Sequence, residues 1–145
     1  MPNNPNVSDC SVFINIWVDT NSVVSGSTQG VYVVDNRGGQ NPPSQNEGSA
    51  NLVTQCTTGA KICWQAFSMN PNSGDTVQLT GIGNSPAWGN SGQPLPAPGT
   101  SSSSTPAFTG IAQVAGNNSY TASFNVMLSG GSLVPVTANL GVSAS

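Results

Sequence analysis

A chain of 145 residues, 36% apolar and only 5% charged, is long enough to bury a sizeable core as one domain and too weakly charged to behave as a polyelectrolyte-like disordered chain. Its charges are Asp9, Asp19, Asp35, Glu47 and Asp75 against Arg37 and Lys61, a net −3. Two cations cannot neutralise a run of phosphates or an anionic lipid surface, which argues against nucleic acid and against membrane association. No apolar run approaches the ~18 residues of a transmembrane helix.

Polarity is carried instead by Ser, Thr, Asn, Gln and Gly, which favour turns and strand edges. The surface is expected to be neutral, rich in hydroxyls and amides, and tolerant of self-association. The N-terminus, MPNNPNVSDC, shows neither a basic nor an apolar leader region, so no signal peptide is read. A cytoplasmic location, or export by a non-classical route, is the expectation.

Residues 1–9, with Pro2, Pro5 and three Asn, read as a loose arm. The first strand is expected over 12–19, with Val12, Ile14, Ile16 and Val18 on one face and Phe13, Asn15, Trp17 and Asp19 on the other. A second follows over 30–35. Residues 36–49, holding Pro42 and Pro43, read as a long polar loop. Strands are expected over 52–56 and 61–69, joined by a turn at 57–60, and again over 76–82 after the turn 70–75.

Residues 83–106 contain five of the eleven prolines and the run Ser101 to Ser104. They read as an extended Pro/Ser/Gly-rich loop that no regular element crosses. Strands resume over 108–114, 119–128 and 134–142. Pro135 cannot donate to a ladder, so the last strand is expected at an edge or at a bulge. No helical period and no internal repeat is seen. The pattern predicts a single-domain, all-β, antiparallel β-sandwich of about eight short strands over 10–145.

The chain has no histidine. That removes the Ser-His-Asp and Cys-His arrangements and most general-base chemistry near neutral pH, and a non-enzymatic role is expected. Cys10, Cys56 and Cys63 lack metal-binding spacing and read as small buried hydrophobes. A Cys56–Cys63 bridge across a hairpin is the alternative. Trp17 and Trp64 lie in strands and are expected in the core. Trp88 lies in the long loop, where an aromatic face beside Asn84, Asn90, Ser91 and Gln93 would suit the apolar face and hydroxyl rim of a neutral glycan; the other reading is that Trp88 folds back to cap the end of the sandwich. Asp19, Asp35, Asn36 and Glu47 follow strand ends or sit in loops and supply the hard oxygens that suit calcium.

The order of features resembles the PixA/AidA family of bacterial inclusion-body proteins. Val18-Asp19-Thr20 matches a hydrophobic strand ending in V-D-T. Val31-Tyr32-Val33-Val34 matches the next strand. Gly59-Ala60-Lys61-Ile62-Cys63-Trp64 fits a G-x-x-I-x-W element, and Tyr120 to Leu128 resembles a late aromatic-rich strand before a Gly turn. The likeness spans most of 9–131. It departs at an Arg usually beside the Trp and at an aromatic C-terminal motif. The resemblance implies a β-sandwich, abundant intracellular expression and ordered inclusions, with no catalytic residues to carry over. The expected function is a non-catalytic, self-associating protein of structural or inclusion-body type, forming homo-oligomers or ordered assemblies. A lectin-like carbohydrate-binding module is the alternative.

Overall fold

A computed structural model describes residues 4–40, 43–70, 72–98 and 107–145. Among them, nine strands form two packed sheets. The first sheet contains β1 (Val12–Val18), β2 (Val31–Asp35), β4 (Ala60–Ser68), β6 (Leu95–Pro96) and β7 (Phe108–Ala112), in the order β2-β1-β4-β7-β6. The second contains β3 (Val53–Cys56), β5 (Thr76–Ile82), β8 (Gly116–Met127) and β9 (Leu133–Ala144), in the order β3-β9-β8-β5. No strand of the second sheet carries a charged side chain.

The strands form where apolar residues alternate, and the alternation decides which face is buried. Val12, Ile14, Ile16 and Val18 all point inward and share one core with Tyr120, Ala122, Phe124 and Val126 of β8. Each such aliphatic side chain stabilises the fold by roughly 1.5–3 kcal/mol. Gly110 of β7 is required by a close approach. A Cβ there would stand 2.7 Å from the Pro94 ring.

The β-sandwich is as expected, but its sheets are mixed rather than antiparallel. β1 runs parallel to β4 from Val12↔Ile62 to Val18↔Ser68, and β3 runs parallel to β9 from Val53↔Gly141 to Cys56↔Ala144. Alternation reports which face of a strand is buried and carries no information about strand direction. β3 and β4 follow one another in sequence yet lie in different sheets, so the turn at 57–60 is a crossing between sheets and not a hairpin.

The final strand is also not an edge. β9 lies between β3 and β8. Its pairing with β3 begins only at Gly141, and at Pro135 the Gly26 N–H donates to the proline carbonyl at 3.0 Å. The proline therefore sits where β9 has β8 on one side and a loop on the other, and its missing donor breaks no ladder.

Regular structure also enters the segment 83–106. Residues Pro86–Ser91 form 3-10 turns broken by a kink at Gly89, the first of them started by Pro86 and capped by the Ser85 hydroxyl, and β6 pairs with β7. The Ser101–Ser104 run, Pro42, Pro71 and residues 1–3 lie outside the described residues. The described arm residues make contacts with the first sheet. The Asn4 amide donates to the Pro96 carbonyl at 2.9 Å and to Thr109 Oγ1 at 3.1 Å, and Thr109 Oγ1 donates to the Pro5 carbonyl at 2.6 Å. Among the described residues no helix is long and apolar enough to cross a membrane.

Candidate functional site

Two aromatic groups occupy opposite situations in the fold. The first is sealed. Trp64 on β4, Trp88 on the 3-10 helix and Tyr120 on β8 meet edge to face, with ring centroids 5.2–5.8 Å apart. Trp64 Nε1–H donates to the Tyr120 hydroxyl at 2.9 Å, which ties the two sheets together, and Trp88 Nε1–H donates to the Gly83 carbonyl at 3.0 Å. Burial pushes the Tyr120 phenol well above its ordinary pKa.

Trp88 is therefore not the exposed platform expected from its loop position. Its relative exposure is 0%. The Ser85 cap and Pro86 start a helical turn that swings the indole inward, where it fills the end of the core. Asn84 and Asn90 remain on the surface, but the ring they were to flank faces away from them. The Gln93 amide is committed to the Ile82 carbonyl at 2.8 Å.

The second aromatic group is open. Tyr32, Trp17 and Phe67 lie side by side across β2, β1 and β4 on the outer face of the first sheet, through the register pairs Trp17↔Tyr32 and Trp17↔Phe67. They are 44%, 38% and 36% exposed. Trp17 and Phe67 stack at 4.9 Å. Trp17, expected in the core, thus stands outside it. Its strand neighbours Asn15 and Asp19 share its face, and that polar company was the sequence signal for an outward position.

Beside Phe67 lies a cleft of about 310 Å³, walled by Gln65, Ser68, Asp75 and Thr76. It exists because β7 pairs with β4 only from Ala60 to Trp64, leaving the β4 edge from Gln65 onward without that neighbour. A polar network supports this end of the sandwich. Thr20 Oγ1 donates to Asp75 Oδ2 at 2.6 Å, Asn70 Nδ2 donates to Thr20 Oγ1 at 3.0 Å, and the Ser129 N–H donates to Asp75 Oδ1 at 2.7 Å. The Ser22 hydroxyl and the Asn21 N–H hold Asp19 below the usual carboxylate pKa, and Thr20 and Ser129 do the same for Asp75.

The four expected calcium ligands do not form one site. β1 and β2 are antiparallel with Ile14↔Asp35 paired, so Asp19 lies at the other end of the sheet, about 16 Å along the strand at roughly 3.3 Å per residue. Its oxygens are taken by Asn21, Ser22 and Asn70. The Asn36 side-chain oxygen Oδ1 accepts from the Phe13 N–H at 3.0 Å. Only Asp35 and Glu47 come together. Glu47 Oε1 accepts from the Asp35 N–H at 2.9 Å, and desolvation together with a hydrogen bond to the Asp35 carboxylate pushes Glu47 up to about 6. Among the described residues no group of three or more His, Cys, Asp or Glu side chains could hold a metal.

All three cysteines are free. Cys56 lies in the main core, whereas Cys63 lies in a second, small cluster with Ala97, Ala107, Val7, Cys10 and Phe13. Cys56 and Cys63 are buried, as expected, and the alternative of a bridge between them is ruled out because they stand on different sides of the sheet that carries Cys63.

A family model described as "Domain of unknown function (DUF8788)" matches residues 10–133. The chain belongs to that family. The DUF8788 fold of this chain is similar to the crystal structure of an inclusion body protein, PixA, from Burkholderia cenocepacia J2315. The TM-score is 0.73 and the identity 19%, over 94% of this chain and 96% of that one. No curated protein matches the chain. The sandwich implied by the resemblance to inclusion-body proteins is thus the fold that the DUF8788 domain adopts.

Proposed function

We propose that this chain is a non-catalytic, self-associating protein of structural or inclusion-body type, and that the open aromatic row is the surface through which copies meet. The observation that carries the reading is the uncovered row Tyr32–Trp17–Phe67, extended by Met69, which is 48% exposed. Aromatics with open surface favour the core of an interface, and the chain's low charge does little to keep copies apart. The histidine-free sequence supports a non-catalytic role. The name of the PixA neighbour, an inclusion body protein, fits the same reading. So do three free cysteines, which suit the reducing cytoplasm, the location this reading carries. Analytical ultracentrifugation and electron microscopy at high concentration test it. The wild type should form oligomers or ordered arrays, and a Trp17→Ser/Phe67→Ser double variant should remain monomeric. A wild type that stays monomeric at millimolar concentration would end the proposal.

A second reading, a lectin-like module for a neutral glycan, is favoured by one observation: the cleft beside Phe67. It sets an aromatic wall against an amide, hydroxyls and a carboxylate, the combination that a sugar's apolar face and hydroxyl rim require. The site in this reading is Phe67 and Gln65 rather than Trp88. Glycan-array binding that is lost in Phe67→Ala and kept by a monomeric wild type would favour it over self-association.

A further inference from the structure

The arm that the sequence leaves without a role carries a reactive feature. Residues 4–11 run over the outer face of the first sheet, at the end opposite the open aromatic row. The 3-10 turn Val7–Asp9 and the bond from Ser11 N–H to the Lys61 carbonyl at 3.1 Å bring Cys10 onto β4. Thr109, which holds the Pro5 carbonyl, is paired directly across from Cys63. The arm is thereby steered over Cys63, and Cys10 packs in the same small cluster.

Cys10 packs against the small cluster that holds Cys63, and the two thiols act on each other: the Cys63 thiol pushes the Cys10 thiol up, and Cys10 holds Cys63 down. The Cys10 S–H has a second acceptor in the Asn6 carbonyl at 3.6 Å. Cys63 is 1% exposed, while Cys10 is half-buried and reachable from solvent. A reachable thiol packed into one small cluster with a buried thiol from a different segment can pass a mixed disulfide on to it.

We propose that Cys10 and Cys63 form a reversible disulfide that locks residues 4–11 onto the sheet, with a low-molecular-weight disulfide as oxidant. Cys10, the thiol that a small disulfide can reach, loses its proton and attacks as the thiolate, a step that its raised pKa makes slow near neutral pH and faster as pH rises. It breaks the small S–S bond, forms a mixed disulfide and releases one small thiol. Cys63 sulfur then attacks the Cys10 sulfur, forms the protein S–S bond and expels the second small thiol. The two protons and two electrons lost by the protein leave on those two thiols. The arm lies outside any strand, so its backbone can adjust to disulfide geometry without breaking a ladder.

The sequence supplies a direct test. Arg37 and Lys61 are the only tryptic sites, so each cysteine lies on its own fragment: 1–37, 38–61 and 62–145. The reduced protein is incubated with excess oxidised glutathione at low protein concentration, quenched and digested without reduction. Mass spectrometry should find fragment 1–37 linked to 62–145, with no retained glutathione, and free thiols reduced from three to one. Hydrogen exchange at residues 4–11 should slow on oxidation. Cys10→Ser should abolish the link, and Cys56→Ser should leave it intact. A persistent glutathione adduct on Cys10, a link that involves 38–61, or three unreacted thiols would each overturn the proposal. The wild-type digest decides the matter even if a variant fails to fold.

Discussion

The sealed and open aromatic groups draw on the same residue types and even share a strand, since Trp64 and Phe67 both lie on β4. Three residues along a strand reverse the side on which a side chain stands. Trp64 points into the core, where its N–H finds Tyr120 and its ring finds Trp88. Phe67 points outward, past the end of β7, where its ring stacks on Trp17. An aromatic residue is thus assigned to packing or to the surface by strand parity and by how far the neighbouring strand extends. Its own hydrophobicity does not decide the matter.

The sharpest way to break that contrast is to remove the sealed rings. Trp88→Ala should cost about 3–5 kcal/mol, read as a lower urea midpoint, because it empties the space against Trp64 and Tyr120. An unchanged midpoint would mean that Trp88 is not core. Tyr120→Phe keeps the ring and deletes only the acceptor for Trp64 Nε1–H. It should cost about 1–3 kcal/mol, the penalty of a buried donor left unpaired.

The open group should respond in the opposite manner. Trp17→Ser and Phe67→Ser should each change monomer stability by no more than about 1 kcal/mol, a fraction of the Trp88 effect. Equal losses at Phe67 and Trp88 would erase the distinction between the groups.

Acid sharpens the contrast further. Asp19 and Asp75 have lowered pKa values, so the stability they contribute is present above the ordinary value of 3.8 and lost as pH falls below it. Hydrogen exchange at 19–22 and 72–75 should rise there before exchange at Trp64 or Tyr120 does. Glu47 has the opposite sign. Its pKa is raised from 4.5 to about 6, so its contribution is full below 4.5 and lost as pH rises through about 6. Glu47→Gln should flatten that part of the melting-temperature profile. An identical profile in the variant would show that Glu47 does not share a proton with Asp35.

How legible this was in the sequence differs between fold and site. The strands and their inward faces were readable because alternation reports burial directly, as in Val12 to Val18 and Tyr120 to Val126. Strand direction was not, since the parallel pairing of β1 with β4 depends on where β2 and β3 are sent between them. For Trp88 loop position left both a surface platform and an inward cap open, and the turn set by Ser85 and Pro86, which points the indole inward, decides for the cap. The open row was missed although each member is in a recognisable strand. Its assembly depends on register across three strands, which single-strand patterns do not encode. The Cys10–Cys63 contact depends on Asn4, Pro5 and Thr109 pinning the arm, and their separation in sequence hid it.

The second sheet, which has no charged side chain, bears on how the protein responds to its solvent. Its outward polar positions, among them Gln55, Gln78, Thr121, Ser123, Asn125, Thr137 and Asn139, meet water through dipoles, and exposed Met127 and Leu133 add apolar surface. Debye screening has little to act on at such a face. Preferential exclusion of a strongly hydrated anion from the surface acts regardless of charge. Sulfate should therefore drive this protein out of solution far more effectively than chloride at matched ionic strength, so that the identity of the salt matters more than its concentration of charge.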